Sequence, residues 1–338
     1  MLRSFLFGFP LLLLAPAAPS QPMGGAASRL TAMQEADMRL LASDELMGRR
    51  AGTPWDAVAA RYIAEQFRAA GAAPVTGADY FQRFALPDGG ASQNVLGVIA
   101  GSDPQLKDEY VMLLAHYDHV GTGDHGGGMR PPTEADSIYN GARDNGMGVV
   151  ALLHAARTLA ADPPARSVVL FAAGAEEMGL VGSRYYAENP LVPLEQTVFA
   201  LNVDTGGYSD TSAVTVVGLE RTTAAALIRE GARRAGLGIT PAPDPRMQLF
   251  RRSDNINLAR RGIPAPTFSP GFLSFSDPGV ADYYHQVGDE VDDLDFAYLA
   301  RFAEGYAEAA RLIADAPERP RWTPGDEFEA TARALYGD

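Results

Sequence analysis

Apolar positions recur at helical spacing twice near the start of the chain. Leu30, Met33, Met38 and Leu41 fit one face of a helix over residues 29–41. Val58, Tyr62, Ile63 and Phe67 form a stripe over 55–70, with Gly71 as a stop. The pattern then changes to short apolar runs at 94–100 and 110–115, which read as strands. Between 86 and 93 there is only a brief Gly-containing turn, too short for an inserted domain. Residues 121–140 make a long polar loop rich in Gly and Pro, and loops of that length usually serve a site or are mobile. Beyond it the pattern predicts a helix over 147–159, an apolar strand over 168–173 and a short helix after Gly179. Strands at 197–203 and 213–217, helices at 222–235 and 254–261, a strand at 265–268 and a long helix at 294–314 follow. Continuous apolar strands alternating with helices imply an α/β fold whose sheet is covered by helices on both faces. With no internal repeat, one domain over 21–338 accommodates these elements, and a Pro-rich tail at 317–324 leads to a final short helix.

The first twenty residues differ from the rest. Arg3 supplies a positive start, residues 5–15 are nearly all apolar, and Ala15-Pro16-Ala17-Ala18 offers small residues for cleavage. The apolar run is short for a membrane span and Pro10 interrupts it. Residues 1–20 therefore read as a signal peptide, and the expected location is secreted or periplasmic, with no stable membrane association after cleavage. A net charge of −14 without any basic run argues against nucleic acid as a partner. The chain has no cysteine, which removes thiolate catalysis, disulfides and Cys-based zinc sites. Any bound metal must be held by His, Asp and Glu. The glycines of 121–140 are not followed by Gly-Lys-Ser/Thr, so they do not form a phosphate loop. No Gly-x-Ser-x-Gly elbow marks a serine hydrolase.

Sites in open α/β sheets collect at the C-terminal ends of strands. His116 and Asp118 close one predicted strand, Glu176 and Glu177 follow another, and Asp204 ends a third. Asp144 opens the helix after the long loop, and His285 lies in a late aromatic loop. Each has a bland reading alone: a strand-end ion pair, a solvated helix start, an N-cap, a turn former, a packed histidine. Together they match a two-zinc centre. Two zinc ions about 3.5 Å apart need a bridging carboxylate. Two His and three carboxylates, one of them shared, give each ion three protein ligands and leave an open position. One further carboxylate remains to take a proton from water.

The stretches that carry these residues are Ala115-His116-Tyr117-Asp118, then Tyr139-Asn140-Gly141-Ala142-Arg143-Asp144-Asn145-Gly146-Met147-Gly148. Glu176-Glu177-Met178-Gly179-Leu180-Val181-Gly182-Ser183, Asn202-Val203-Asp204 and Tyr284-His285 complete the set, and Leu41 to Arg49 adds an N-terminal segment. In order and content this resembles the zinc aminopeptidase and glutamate carboxypeptidase family of metallopeptidases, peptidase family M28. The resemblance implies a three-layer α/β/α sandwich around a mixed, mostly parallel sheet. It implies two Zn2+ ions, one on His116 and Asp204, the other on Glu177 and His285, with Asp144 bridging both. Glu176 would be the general base taking a proton from a water bridged between the ions, and the Asp144–Asn145 peptide would be cis. Asp118 lies two residues past His116, on the same face of an extended segment, where it would orient the imidazole.

The implied activity is that of a metal-dependent exopeptidase, an aminopeptidase removing N-terminal residues from peptide substrates. Carboxypeptidase or dipeptidase polarity, a single-zinc glutaminyl cyclase and a non-catalytic binding protein are the alternatives. Retention of all five ligands and the base favours the peptidase. Ser253-Asp254-Asn255 departs from the family's frequent Ser-Asp-His; Asn255 replaces a residue outside the ligand set, so the departure bears on the substrate pocket. His119, His125 and His154 read as structural or solvated, with His119 the nearest to the site. Phe268, Phe272, Phe275, Tyr283 and Tyr284 suit either a hydrophobic pocket or core packing.

Overall fold

The computed structural model describes residues 24–337 apart from 78, 126 and 242. The leader read at residues 1–20 lies outside the described residues. In chain order the strands are β1 (Ala73–Pro74), β2 (Phe81–Ala85), β3 (Ala91–Ile99), β4 (Tyr110–His116), β5 (Gly121–Thr122), β6 (Ile138–Tyr139), β7 (Ser167–Ala173), β8 (Thr197–Val203), β9 (Asp210–Val217), β10 (Gly238–Ile239) and β11 (Thr267–Gly271). The helices are α1 (Gly24–Leu41), α2 (Pro54–Ala70), α3 (Met147–Ala161), α4 (Val181–Glu188), α5 (Ala225–Arg234), α6 (Asn255–Ala259), α7 (Pro278–Ala281), α8 (Phe296–Asp315) and α9 (Glu329–Tyr336).

The main sheet runs β1-β3-β7-β4-β8-β11-β9-β10, with β2 also paired to β3. Its centre, β7-β4-β8-β11, is parallel; β3 and β9 join it antiparallel on the two sides. The sheet is therefore mixed, with a parallel centre. β4, β7 and β8 are buried along almost their whole lengths, which explains why they read as unbroken apolar runs. One face is covered by α2, α3, α5 and α8, the other by α4 and α6. The architecture is a three-layer α/β/α sandwich. Because β7, β4 and β8 are adjacent and parallel, the residues after Ala173, His116 and Val203 emerge side by side at one edge of the sheet.

Local signals account for most boundaries. Thr53 caps α2 by accepting from Asp56 N at 3.3 Å, Pro54 takes the first turn, and Gly71 ends the helix in the left-handed region. The buried face of α2 is Ala59, Ala60, Ile63, Ala64 and Phe67, whereas Val58 is half exposed. The stripe is thus rotated from the predicted one, because a face of alanines lets the helix lie close on β3. A Cβ at Gly97 of that strand would stand 3.3 Å from the Phe67 ring. The edge strand β2 escaped the apolar pattern since its sequence, Phe-Gln-Arg-Phe-Ala, pairs on one side only. The long loop is closed at its base by β5 and β6, which pair Gly121 with Tyr139 and Thr122 with Ile138. The Pro-rich tail packs on the body: Trp322 is buried and rings with Phe250 and Phe328, and Arg221 grips Asp326 at 2.7 Å. Among the described residues no helix is long and apolar enough to cross a membrane.

Candidate metal centre

All five candidate ligands meet at the C-terminal edge of the parallel strands. His116 is the last residue of β4, Asp204 follows β8 directly, and Glu176 and Glu177 come just after β7. Asp144 sits in an irregular turn over Ala142–Gly146 that leads into α3, with a cis Asp144–Asn145 peptide. His285 comes from the loop after α7, at φ 52°, a left-handed conformation that histidine adopts more readily than most residues.

The two oxygens of Asp144 face opposite ways. Oδ1 lies 3.4 Å from His116 Nε2, which itself is 3.6 Å from Asp204 Oδ1. Oδ2 lies 3.2 Å from His285 Nε2, which is 3.1 Å from Glu177 Oε1. Charge-assisted N–H···O bonds settle nearer about 2.7–2.9 Å. Two ligands on a tetrahedral zinc with bonds of about 2.0–2.1 Å stand about 3.3–3.4 Å apart. The observed spacings match the edges of such a tetrahedron better than they match ion pairs. The other ring nitrogens supply a second match. His116 Nδ1 lies 3.2 Å from the Asp118 carbonyl, and His285 Nδ1 lies 3.0 Å from the Gly127 carbonyl. Each imidazole is thus oriented by a backbone oxygen, leaving Nε2 turned to the cluster, as metal-ligating histidines usually are. The residues fit zinc.

Asp118 acts differently from the expectation. Its carboxylate stands 3.9 Å from His116 Nδ1, and the carbonyl makes the closer approach. The carboxylate instead accepts from the backbone of Glu176 at 2.9 Å and of Glu177 at 3.2 Å. The chain leaves the sheet after His116, so strand alternation no longer governs where Asp118 points. It ties the end of β4 to the glutamate pair and is a positioning residue. Burial pushes its carboxyl up to about 8.

His119, read as structural, is part of the cluster. It is fully buried, its Nδ1 lies 3.1 Å from Glu177 Oε1, and its ring meets that of His285 edge-on at 5.4 Å. Its ligand atom groups with those of Asp144, Glu177 and His285, while Glu176 groups with His116 and Asp204. His119 Nε2 is buried without a protein partner. The signal was present as two histidines and an aspartate within four positions at a strand end. His154 does serve packing, joining Gln34 of α1 at 3.0 Å and Glu304 of α8 at 2.8 Å. His125 contacts Thr122 within the loop at 2.9 Å.

Three residues outside the expected set hold the turn at Asp144. Asp289 accepts from the backbone of Arg143 and of Asp144, at 2.9 and 3.0 Å, and pairs with the buried Arg143 guanidinium at 3.2 Å. Asn145 donates to the carbonyls of His116 at 3.2 Å and Val203 at 3.0 Å, stitching β4 to β8 beneath the site. Arg49, wholly buried, donates to the carbonyls of Leu41, Tyr117, Asn140 and Gly141, which gives the N-terminal segment its place in the centre. Gly141 is required where it stands: at φ 62° a Cβ would lie 2.4 Å from the Asp144 carbonyl and 2.6 Å from the His119 ring.

The charges are set by this crowding. Burial first, then the Asp204, Glu177 and Asp254 carboxylates, push Glu176 well above the usual carboxylate range against the pull of His116. Burial and Asp144 oppose the charge on Glu177, yet His119 and His285 bring it down to about 2. Burial opposes the charge on Asp144 as well, and its contacts with His116 and His285 hold it well below the usual range. Two adjacent glutamates are therefore driven apart, one toward carrying a proton and one toward permanent charge.

A cavity of about 70 Å³ opens onto the cluster, walled by Val217, Leu249, Phe272, Phe275, Val280 and Tyr284. Phe268 packs in the core with Phe302 and Tyr306, and Tyr283 lies under the Arg143 guanidinium, whose carbon is 3.5 Å from the ring centre. Asn255 turns to the carbonyls of Phe250 and Ala265, at 3.2 and 3.1 Å, so Arg252 and Ser253 form that part of the cavity wall.

Residues 94–310, well over half of the chain, match the model of peptidase family M28. The chain belongs to peptidase family M28. Aminopeptidase YwaD of Bacillus subtilis (strain 168) is 33% identical to this M28 peptidase over 98 residues, 29% of this chain and 18% of that protein. The match thus spans less than a fifth of that relative's length. The fold is shared with BSAP, a zinc aminopeptidase from Bacillus subtilis, at a TM-score of 0.64 and 16% identity, covering 82% of this chain and 94% of that one. It is shared also with Bacteroides thetaiotaomicron glutaminyl cyclase bound to N-acetylhistamine, at a TM-score of 0.60 and 18% identity, covering 84% and 97%.

Proposed function

We propose that this M28 peptidase is an aminopeptidase that binds two zinc ions and releases N-terminal residues from peptides. The split orientation of Asp144, with one oxygen toward each histidine, carries the reading. His116 and Asp204 would hold one ion, Glu177 and His285 the other, and Asp144 would bridge them. When bound, zinc would polarise the scissile carbonyl and make an attacking water more acidic.

The chain's own residues do the rest. Glu176, beside His116 and Asp204, takes a proton from the attacking water and passes it to the departing amine nitrogen. Asp118 fixes the backbone of both glutamates, and the Asp118 and Gly127 carbonyls keep the two imidazoles in register. Asp204, with its side chain 24% exposed, faces the cavity where a free amine would lie. The apolar wall takes the side chain of the released residue. Export through the leader at 1–20 and a single peptidase domain over 21–338 belong to the same proposal.

The test is zinc per chain, measured alongside p-nitroaniline release from free and N-blocked aminoacyl p-nitroanilides. Two zinc ions with chelator-sensitive release from free-amine substrates alone are expected. One ion with cyclisation of N-terminal glutamine would instead place the chain with the cyclases. His119 supplies a separate check. The substitution His119→Ala removes the partner that steadies Glu177 Oε1 and is expected to weaken zinc binding at the Glu177–His285 site by about 10–100-fold in chelator competition. An unchanged affinity would take His119 out of the metal centre's support.

A further inference from the structure

Arg252 stands at the rim between two spaces. It lines the cavity that holds the metal cluster, and it also lines a neighbouring groove of about 450 Å³ with Met129, Arg130 and Gln286. Phe275, Tyr284 and His285 are common to both spaces. These residues form a ladder. The His285 and Tyr284 rings stack at 4.1 Å, Tyr284 and Phe275 meet at 5.1 Å, and the Arg252 guanidinium carbon lies 4.9 Å from the Phe275 centre. The ladder connects a candidate zinc ligand to a cation.

That cation is exposed and has no ion pair or side-chain hydrogen bond among the described residues. Its neighbours contrast with it. Arg251 pairs with Glu327, Arg246 is paired with Asp244 at 2.5 Å, and Arg130 faces Asp282 at 3.7 Å. In a chain of net charge −14, an arginine held on an aromatic ring without a carboxylate partner keeps all its donors for something else. A planar guanidinium matches a carboxylate with two parallel hydrogen bonds. The carboxylates of the centre itself would be committed to metal or, for Glu176, to proton transfer.

We propose that Arg252 anchors the free terminal carboxylate of a short peptide, so that di- and tripeptides are the preferred substrates. This rests on the aminopeptidase reading. With the released residue's side chain in the cavity of about 70 Å³, the departing residues cross the rim into the larger groove. Arg252 lines the same cavity as the metal cluster, and consecutive Cα atoms are about 3.8 Å apart, so the proposal puts the terminal carboxylate one or two residues past the scissile bond. An acidic side chain on the released residue is the other source of a carboxylate. It would share the cavity with Glu176 and Asp204, which disfavours it.

The experiment uses the zinc-loaded full chain, comparing Leu-Leu and Leu-Leu-Leu with their C-terminal amides. The wild-type protein is expected to favour the free acids at least tenfold in kcat/KM, mainly through KM. In Arg252→Ala that ratio falls to near one, while Arg252→Lys keeps part of it. Leu- and Glu-p-nitroanilide, run on the same variants, separate the two sources. If the acid-to-amide ratio stays the same in Arg252→Ala, the proposal is overturned, and selective loss of Glu-p-nitroanilide would then assign Arg252 to an acidic side chain. A wild-type protein that holds zinc yet releases nothing from any free-amine substrate would overturn the aminopeptidase reading itself, an outcome distinct from an active enzyme without acid preference.

Discussion

Glu176→Gln should lower kcat by about 10²–10⁴-fold, the usual contribution of a positioned general base, while zinc content stays the same. The amide has the shape of the carboxyl group but cannot accept the proton that water must lose. Glu176 lies within the His116–Asp204 group, yet the ligand spacings that fit zinc are made by Asp144, Asp204, Glu177 and the two histidines. Its backbone N–H donates to Asp118, an interaction the substitution leaves intact, so neither fold nor metal should respond. The variant would be compared with the wild type by steady-state kinetics and by metal analysis of the same preparation. Activity within a few-fold of wild type would remove Glu176 from the proton's path. Loss of zinc together with activity would make it a ligand instead.

Removing the bridge should have a larger structural effect. Asp144→Ala is expected to reduce zinc below one ion per chain, because one side chain serves both halves of the centre. Two cations at bridging distance repel each other, and without a shared anion neither half keeps its third protein ligand. The backbone should tolerate the change: Asp289 holds the amides of residues 143 and 144, and Asn145 holds the strand ends, none of which uses the Asp144 side chain. Zinc at a thousand times its dissociation constant stabilises the native state by about 4 kcal/mol, so the variant should melt at the temperature of the metal-free protein. Metal analysis and thermal unfolding with and without chelator check both points. A variant that still carried two ions would exclude Asp144 as the bridge.

His116, Glu176, Glu177 and Asp204 were legible because each follows or ends a buried apolar strand, whereas Asp144 and His285 stood out only through their resemblance to the family's motifs. Buried parallel strands are read as apolar runs, so the titratable residue that ends each run stands out. The same rule failed at Asp118 and His119. It assumes that alternation continues past the strand, whereas the chain leaves the sheet after His116 and turns His119 inward. Asn145, Asp289 and Arg49 were invisible for a related reason. Their partners are backbone groups from distant parts of the chain, and backbone atoms leave no trace in the residue pattern. Asn255 shows the converse: a departure from the family's motif that faces two carbonyls instead of the cavity.

What the sequence by itself determined was the fold class, the edge of the sheet that carries the chemistry and the identity of the groups able to hold a metal. The first two follow from burial periodicity and turn residues; the third follows from the lack of cysteine together with the resemblance to the family's motifs. Tertiary structure alone decided what supports those groups. The capture of the glutamate backbone by Asp118, the entry of His119 and the Arg252 left unpaired among the described residues all depend on side-chain direction. Contacts of about 3 Å between residues far apart in the chain set that direction, and no pattern along the sequence encodes them one residue at a time.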